Sequence, residues 1–314
     1  MSRGRKLILR LVTVCAVAGA AALVAACGGG KSGNQPPTTS QGAKLRVVAT
    51  TVQVAALTKE VGGDRIALTG LIPAGADPHE FEPRASDLAA IEDAELILRH
   101  GIGLDGWLDG TLKAGAKARV VTVTDGISLL KGDESGKQVD DPHVWHDPED
   151  DKIMVANIAA ALDAADPASK AQYDANAAAY EQKLDDTKRQ VQAIINEVRP
   201  DGRKLVTNHD AFGYFARAFG LRIVGAVIPS VSTEAEPSAQ ETAALLDTIK
   251  KENVKAIFAE SSVNAKLATT LANDAGVKIV DDLYGDSLGK PGSGADTIDG
   301  MLLANAHKIA DALK

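Results

Sequence analysis

The sequence predicts an α/β fold of two lobes, each built on a mostly parallel sheet, bridged by one long helix. From Leu45 onward, short β-branched runs alternate with longer Ala- and Leu-rich segments of helical period, which is the pattern of repeated βα units. Eight such runs occur, four in each half of the chain. The longest periodic segment, Pro167 to Val198, lies between the two sets of four and is predicted to be the bridging helix.

The predicted strands are each followed by a polar or Gly- and Pro-containing turn and then by a helical segment. In the first half they are Leu45–Thr51, Ile66–Ile72, Leu96–Arg99 and Arg119–Thr124. In the second half they are Lys204–Thr207, Leu221–Ile228, Ala256–Ala259 and Val277–Asp281. Because the connections carry helices, the strands within each lobe are expected to be parallel.

The bridging helix has sequence signals at both ends. Asp166 supplies an N-cap with Pro167 at the first helical position, and the Pro-Asp-Gly sequence from Pro200 stops the helix. At 1.5 Å per residue it would run for roughly 45–50 Å. The expected organisation is therefore a βα lobe over residues 44–165, a linking helix over 166–200 and a second βα lobe over 201–314, with a cleft between the lobes.

The N-terminus predicts export from the cytoplasm. A positive segment precedes the apolar run Leu7 to Ala26, as in a secretory signal peptide; its basic residues are Arg3, Arg5, Lys6 and Arg10. The run ends in Leu-Val-Ala-Ala-Cys, which resembles a bacterial lipobox, so residues 1–26 are the predicted signal peptide and Cys27 the lipidated first residue. The Gly-, Ser- and Pro-rich segment 27–43 would be a flexible tether. An uncut transmembrane anchor is the alternative.

The charge argues against nucleic-acid binding, and the cysteine content argues against an intramolecular disulfide. Removing residues 1–26, which carry four basic and no acidic side chains, changes the formal net charge from −8 to −12. Such a chain is a poor partner for nucleic acid, and its acidic surface favours the approach of cations. Cys15 lies in the segment that would be removed, so no intramolecular disulfide is expected.

Open α/β sheets bind ligands beyond the carboxyl ends of their strands, so titratable residues in the loops after predicted strands are candidates for a site. Three histidines and one aspartate stand out. His79 and His143 each stand in an Asp-Pro-His tripeptide, and His143 comes after an acidic stretch, Asp133–Asp141, that is expected to be mobile. His209 follows the fifth predicted strand and Asp286 follows the eighth. Three imidazoles and a carboxylate at one edge of two lobes would form the closed four-ligand shell that zinc prefers.

The chain resembles the solute-binding lipoproteins of zinc and manganese ABC importers, the TroA-like family, over essentially all of residues 44–314. The matching stretches are GADPHEFEP, DPHVWHDP, NHDAFGYFA, STEAEPSAQE, FAESSVN and LYGDSLGKPGSGADT, in the family's order. The resemblance implies two (βα)4-type lobes bridged by one long helix. It implies metal ligands at His79, His143, His209 and Asp286, a membrane permease as the partner, and only modest closure on loading.

Three further residues are candidates for supporting roles near the site. Glu260 is expected to hold a ligand histidine through its second ring nitrogen. His146 stands where the family usually has an apolar residue and is expected to lie at the surface or to cap a helix, with metal capture as the alternative. His100 follows a strand where the family more often shows Asn, so it is expected to be structural or exposed, with a position beside the cleft as the alternative.

The sequence favours Zn²⁺ and leaves Mn²⁺ as the alternative. A third imidazole at His209 favours zinc, because manganese-specific relatives tend to have a second carboxylate there. Many zinc-specific relatives carry a His-rich loop before the second ligand motif, and Lys131–Asp141 holds no His.

Two other classes of protein are less consistent with the pattern. A secreted zinc hydrolase would need three protein ligands and an open position for water, whereas four ligands are predicted. An adhesin would leave the His and Asp set unexplained. The chain is therefore expected to be a monomeric, exported, non-enzymatic protein, lipid-anchored at the outer face of the cell membrane, that delivers metal to an ABC importer.

Overall fold

The computed structural model describes residues 43–113 and 117–314. The predicted signal peptide, the lipidation site at Cys27 and the tether up to Gly42 lie outside the described residues. Among the residues that are described, no helix combines the length and the apolar character needed to cross a membrane.

The first lobe is a four-stranded parallel sheet covered by helices. Its strands are β1 (Leu45–Ala49), β2 (Ile66–Gly70), β3 (Leu96–Arg99) and β4 (Arg119–Thr122), in the order β2-β1-β3-β4. Its helices are α1 (Val52–Gly62), α2 (Ala85–Asp93) and α3 (Leu108–Lys113). Thr51 caps α1 by accepting a hydrogen bond from the Val54 N–H.

The acidic stretch that was expected to be mobile forms a β-hairpin, so that expectation was wrong. Strands β5 (Lys131–Glu134) and β6 (Lys137–Asp140) pair antiparallel. The two turn residues, Ser135 and Gly136, both have positive φ, which is the conformation of a tight two-residue hairpin turn. The sequence pattern did not predict this hairpin because its side chains are mostly polar and include few β-branched residues.

Two helices connect the hairpin to the second lobe. Helix α4 (Pro148–Ala165) starts at a proline and is capped by the Asp147 side chain. Asp166 precedes a short 3-10 turn, Pro167–Ser169, and helix α5 (Lys170–Asn196) follows with 27 residues. The predicted long helix is therefore confirmed, although its first three residues form the tighter turn.

The second lobe repeats the strand order of the first. Its strands are β7 (Lys204–His209), β8 (Arg222–Ile228), β9 (Ala256–Glu260) and β10 (Lys278–Leu283), in the order β10-β9-β7-β8 and all parallel. Its helices are α6 (Gly213–Phe219), α7 (Ala239–Glu252), α8 (Lys266–Ala275) and α9 (Ile298–Leu313). In each lobe the second strand of the chain forms one edge and the fourth strand the other. Two parallel-sheet lobes bridged by a long helix are thus confirmed.

The two lobes share one hydrophobic core that passes through α5. Its members include Val47 in the first sheet, Leu184 in α5 and Phe258 in the second sheet. The buried face of α5 recurs at helical spacing and comprises Tyr173, Ala177, Tyr180, Leu184, Thr187, Val191 and Ile195. Residues 43–314 form a single compact unit, and the lobe boundaries at 165 and 200 stay predictions.

Replacing Leu184 with Ala should destabilise the whole unit, because the side chain is fully buried in the shared core. The expected loss is about 2–5 kcal/mol of unfolding free energy. Chemical denaturation of the metal-free protein measures it. Leu267→Ala is the matched control, since Leu267 is 37% exposed and should change stability little; equal losses for both variants would contradict a core that depends on α5.

Candidate metal centre

The carboxyl ends of the strands and the loops beyond them bring four side chains to one place between the lobes. His79 lies in the loop between β2 and α2, and His143 lies between the hairpin and α4. His209 is the last residue of β7, and Asp286 lies in the loop between β10 and α9. Each lobe contributes two of the four side chains.

The repeated Asp-Pro-His tripeptide forms the same tight turn twice. The Asp77 carboxylate accepts the backbone N–H of His79 at 2.9 Å, and the Asp141 carboxylate accepts that of His143 at 3.0 Å. The intervening proline restricts the backbone, and the aspartate carboxylate holds the backbone N–H of the histidine in place. The recurrence in sequence therefore has a structural cause: both loops need a rigid backbone beneath an imidazole.

The donor atoms of these four residues converge. Each offers one ligand atom, and all four atoms lie within 4.8 Å of one another. The Asp286 carboxylate oxygens lie 3.2 Å from Nε2 of His143, 3.2 Å from Nε2 of His209 and 3.4 Å from Nε2 of His79. The Nε2 atoms of His143 and His209 are 3.2 Å apart. Among the described residues, no other group of His, Cys, Asp or Glu side chains converges in this way.

The centre is closed off from solvent. The side chains of His143, His209 and Asp286 are 0% exposed, and that of His79 is 9% exposed. Within the described part of the chain, neither carboxylate oxygen of Asp286 has a hydrogen-bond donor. A buried carboxylate without donors, surrounded by imidazoles, is costly unless a cation compensates it. His79 also lines a cavity of about 460 Å³ that opens beside Glu134 and Glu234.

Two carboxylates orient the imidazoles from behind. Nδ1 of His143 lies 2.7 Å from Asp141, and Nδ1 of His209 lies 2.7 Å from Glu260. When each Nδ1–H donates to its carboxylate, the Nε2 lone pair points into the centre, which is the orientation that a metal ligand requires. The structure places Glu260 where the sequence predicted such a partner. Asp141 was missed in this role, although the repeated tripeptide was the signal for it.

The charges of the centre are strongly coupled. Burial lowers the pKa of His143, but the Asp286 and Asp141 carboxylates outweigh burial and raise that pKa to about 9. Burial likewise opposes protonation of His209, but Glu260 and Asp286 raise its pKa well above the usual value. Burial favours a neutral Asp286, but His209 and His143 hold its pKa well below its usual range. The carboxylates thus favour protonation of His143 and His209, and these imidazoles favour the anionic form of Asp286.

His146 is buried, so the expected surface or capping position was wrong. Residues Val144–His146 form a 3-10 turn, and the His146 ring is 0% exposed and stacks on Phe212 at 4.8 Å. Asp147, and not His146, caps α4. Burial, with repulsion from His143, lowers the pKa of His146 to about 3. A neutral ring inside an aromatic cluster takes the place of an apolar side chain there, and it lies outside the group of four.

His100 is also buried and lies behind the His143 loop. Its Nε2 lies 2.8 Å from the Pro142 carbonyl oxygen, and its ring packs edge-on against Trp145. Burial lowers its pKa to about 4, so the ring is neutral and donates Nε2–H to that carbonyl. His100 therefore supports the loop before His143 without reaching the centre.

Comparison with known proteins assigns the chain to a family. Residues 47–312 match the family of the zinc-uptake complex component A, periplasmic (ZnuA). The chain belongs to this family of metal-binding solute-binding proteins. It is 33% identical over 285 residues to the manganese ABC transporter substrate-binding lipoprotein PsaA of Streptococcus pneumoniae, covering 88% of this chain and 91% of the relative. The same figures hold for the iron ABC transporter substrate-binding lipoprotein MtsA of Streptococcus pyogenes.

Solved structures of ZnuA-family relatives have the same fold. The periplasmic zinc-binding protein TroA of Treponema pallidum superposes with a TM-score of 0.80 at 31% identity, covering 86% of this chain and 99% of that one. A manganese-bound periplasmic metal-binding protein of Candidatus Liberibacter asiaticus gives 0.77 at 27% identity, covering 86% and 100%. The family consists of substrate-binding components of transporters and not of enzymes, which sets aside the zinc hydrolase.

Replacing His143 with Ala should remove one donor atom from the centre and one of the three imidazoles beside Asp286. Zn²⁺ affinity, measured by calorimetry on metal-free protein, should fall by at least about 100-fold, more than the loss of an outer partner of a ligand causes. His307→Ala is the control, because His307 lies exposed on α9. Wild-type affinity in His143→Ala would remove this residue from the site.

Metal affinity should fall as the pH is lowered. Because the pKa of His143 in the metal-free centre is about 9 and that of His209 is also raised, both rings bind protons that the metal must displace. Affinity should therefore rise with pH up to about 9 and be weaker at pH 5.5 than at pH 7.5. Calorimetry in buffers of different ionisation enthalpy should also detect proton release; equal affinities and no release would contradict imidazole ligation.

Proposed function

We propose that this protein captures a divalent transition metal ion, with Zn²⁺ preferred, in the cleft between its lobes and passes it to the permease of an ABC importer. His79, His143, His209 and Asp286 are the proposed ligands. The observation that carries the proposal is the convergence of their donor atoms, all within 4.8 Å of one another, with Asp286 oxygens 3.2 to 3.4 Å from the three imidazoles. A tetrahedral zinc site with bonds of roughly 2.0–2.1 Å has edges of about 3.3 Å.

The environment of the ligands supports retention of a cation and not catalysis. Four donors complete a tetrahedral shell, so no position is left for a reactive water. The centre is buried, and Asp141 and Glu260 hold the two most buried imidazoles in the binding orientation. These features suit a protein that binds metal tightly during transit and releases it to a partner.

Manganese is the second candidate, and one observation favours it. Both Asp286 oxygens face the imidazoles, Oδ1 towards His143 and Oδ2 towards His79 and His209. A bidentate carboxylate would raise the number of donors to five, which suits a metal that takes more ligands than zinc. Relatives of this chain are named for manganese, iron and zinc, so family membership alone does not select the metal.

The proposed location is the outer face of the cell membrane. The lipobox-like sequence ending at Cys27 would provide a lipid anchor, and residues 27–43 would tether the folded unit. Relatives with 33% identity are named lipoproteins of ABC transporters, which supports this arrangement. The proposed partner is the membrane permease, and the protein is proposed to act as a monomer that meets it one molecule at a time.

Direct competition between the two metals tests the choice of cargo. Metal-free protein titrated with Zn²⁺ in the presence of Mn²⁺ should bind one zinc ion per chain with the higher affinity, because three imidazoles suit zinc better than manganese. Displacement calorimetry measures the two constants. Tighter binding of Mn²⁺ would make manganese the cargo, and binding of neither metal would refute the proposed function.

A further inference from the structure

The loop that carries Asp286 is hydrogen-bonded to the second lobe at Tyr284 and to the first lobe from Gly285 onward to Ser287. Tyr284, at its start, is held by its own lobe: Asn305 of α9 accepts from the Tyr284 N–H at 2.9 Å and donates to its carbonyl at 2.7 Å. The next three residues, Gly285 to Ser287, each make a hydrogen bond to the first lobe. The loop therefore begins in the second lobe and is fastened to the first.

Three successive residues of this loop each make one hydrogen bond to the first lobe. The Trp145 indole N–H donates to the Gly285 carbonyl at 2.9 Å, and the Gln53 amide donates to the Asp286 carbonyl at 2.8 Å. The Gly75 backbone N–H donates to the Ser287 hydroxyl at 2.5 Å. These contacts come from α1, from the loop after β2 and from the turn before α4, so they approach the loop from separate elements.

Most residues of these contacts are buried, whereas Gly75 lies at the surface. Gln53, Trp145 and Asp286 are 0% exposed, and Ser287 is 1% exposed. Gln53 has one described hydrogen bond, the one to Asp286, and its Oε1 has no partner among the described residues. A buried glutamine in the first turn of a helix costs desolvation free energy, and this contact is what offsets it.

The opposite side of the loop is closed by the second lobe. A Cβ atom at Gly285 would lie 1.8 Å from Oε2 of Glu260, so only glycine allows the loop to approach that carboxylate. Glu260 in turn holds His209. The Asp286 loop is thus fixed between the partner of one proposed ligand and three donors of the first lobe.

We propose that Gln53, Trp145 and the Gly75 N–H form a clamp that positions Asp286 and controls the release of bound metal. The inference rests on the proposed function and deepens it. The lobes cannot separate with the Asp286 loop in its own lobe unless these three hydrogen bonds break. Asp286 contacts all three imidazoles, so displacement of its loop removes the anionic ligand and lets the cation leave. Gln53 and Trp145 are positioning residues, since neither belongs to the ligand set.

A clamp of this kind affects the two rate constants of metal binding differently. It holds the complete ligand set together, so weakening it should raise the dissociation rate constant. It does not line the path of the approaching ion, so the association rate constant should stay nearly constant. A residue that merely stabilises the fold would not separate the two rate constants in this way.

The test compares Gln53→Met and Ser287→Ala with Gln192→Met in the full-length mature chain. Methionine fills the space of glutamine without donating to the Asp286 carbonyl, and alanine removes the acceptor of the Gly75 N–H. Gln192 donates to Asn196 within α5 and to the Phe219 carbonyl at 3.4 Å, far along the chain from the Asp286 loop, and serves as the control. Stopped-flow mixing of the zinc-loaded protein with an excess of a chromophoric chelator gives the dissociation rate constant.

Each clamp variant should release Zn²⁺ about three- to tenfold faster than wild type, as expected for the loss of one hydrogen bond. Association rate constants should match that of the control. Wild-type release rates in both variants would overturn the clamp and leave the proposed function intact. Faster release accompanied by an equal change in the association rate constant would also overturn it. Failure of the wild-type protein to bind either Zn²⁺ or Mn²⁺ would overturn both proposals.

Discussion

The buried carboxylate of Asp286 is the constraint on which the rest of the structure depends. It has no hydrogen-bond donor among the described residues, and three imidazoles lie within 3.4 Å of it. A carboxylate in this environment is stable only beside positive charge, which protonated imidazoles supply without metal and a divalent cation supplies with it. Under the proposed function, a bound cation would replace protons at the centre, and the buried charge would stay compensated.

Compensation of that charge requires both lobes, and the fold is arranged to keep them together. The four side chains come from the end of one strand and from three loops of the two lobes, and α5 joins the lobes through one continuous hydrophobic core. A long helix packed along its length resists bending, in contrast to a flexible hinge. Small displacements of individual loops are then a less costly way to open the site than rotation of whole lobes.

The carboxylates that bind the far ring nitrogens and the donors that hold the Asp286 backbone serve the same purpose, which is to orient the side chains of the centre. Asp141 and Glu260 fix the ring orientation of His143 and His209, and Gln53 holds the backbone of Asp286. The direct ligands alone would leave the side chains free to rotate towards other partners. Because these supporting residues reach the site from distant parts of the chain, the affinity of the centre depends on the packing of the whole unit.

The sequence by itself determined the order of strands and helices, the long bridging helix and the identity of the four converging side chains. These follow from local patterns: residue periodicity, turn residues, and polar side chains placed after strands. The hairpin at residues 131–140, the burial of His146 and the contacts of Gln53 and Trp145 were decided by tertiary structure. A hydrogen bond between residues 233 positions apart, such as that from Gln53 to Asp286, leaves no periodic signal, because it exists only once both lobes have packed.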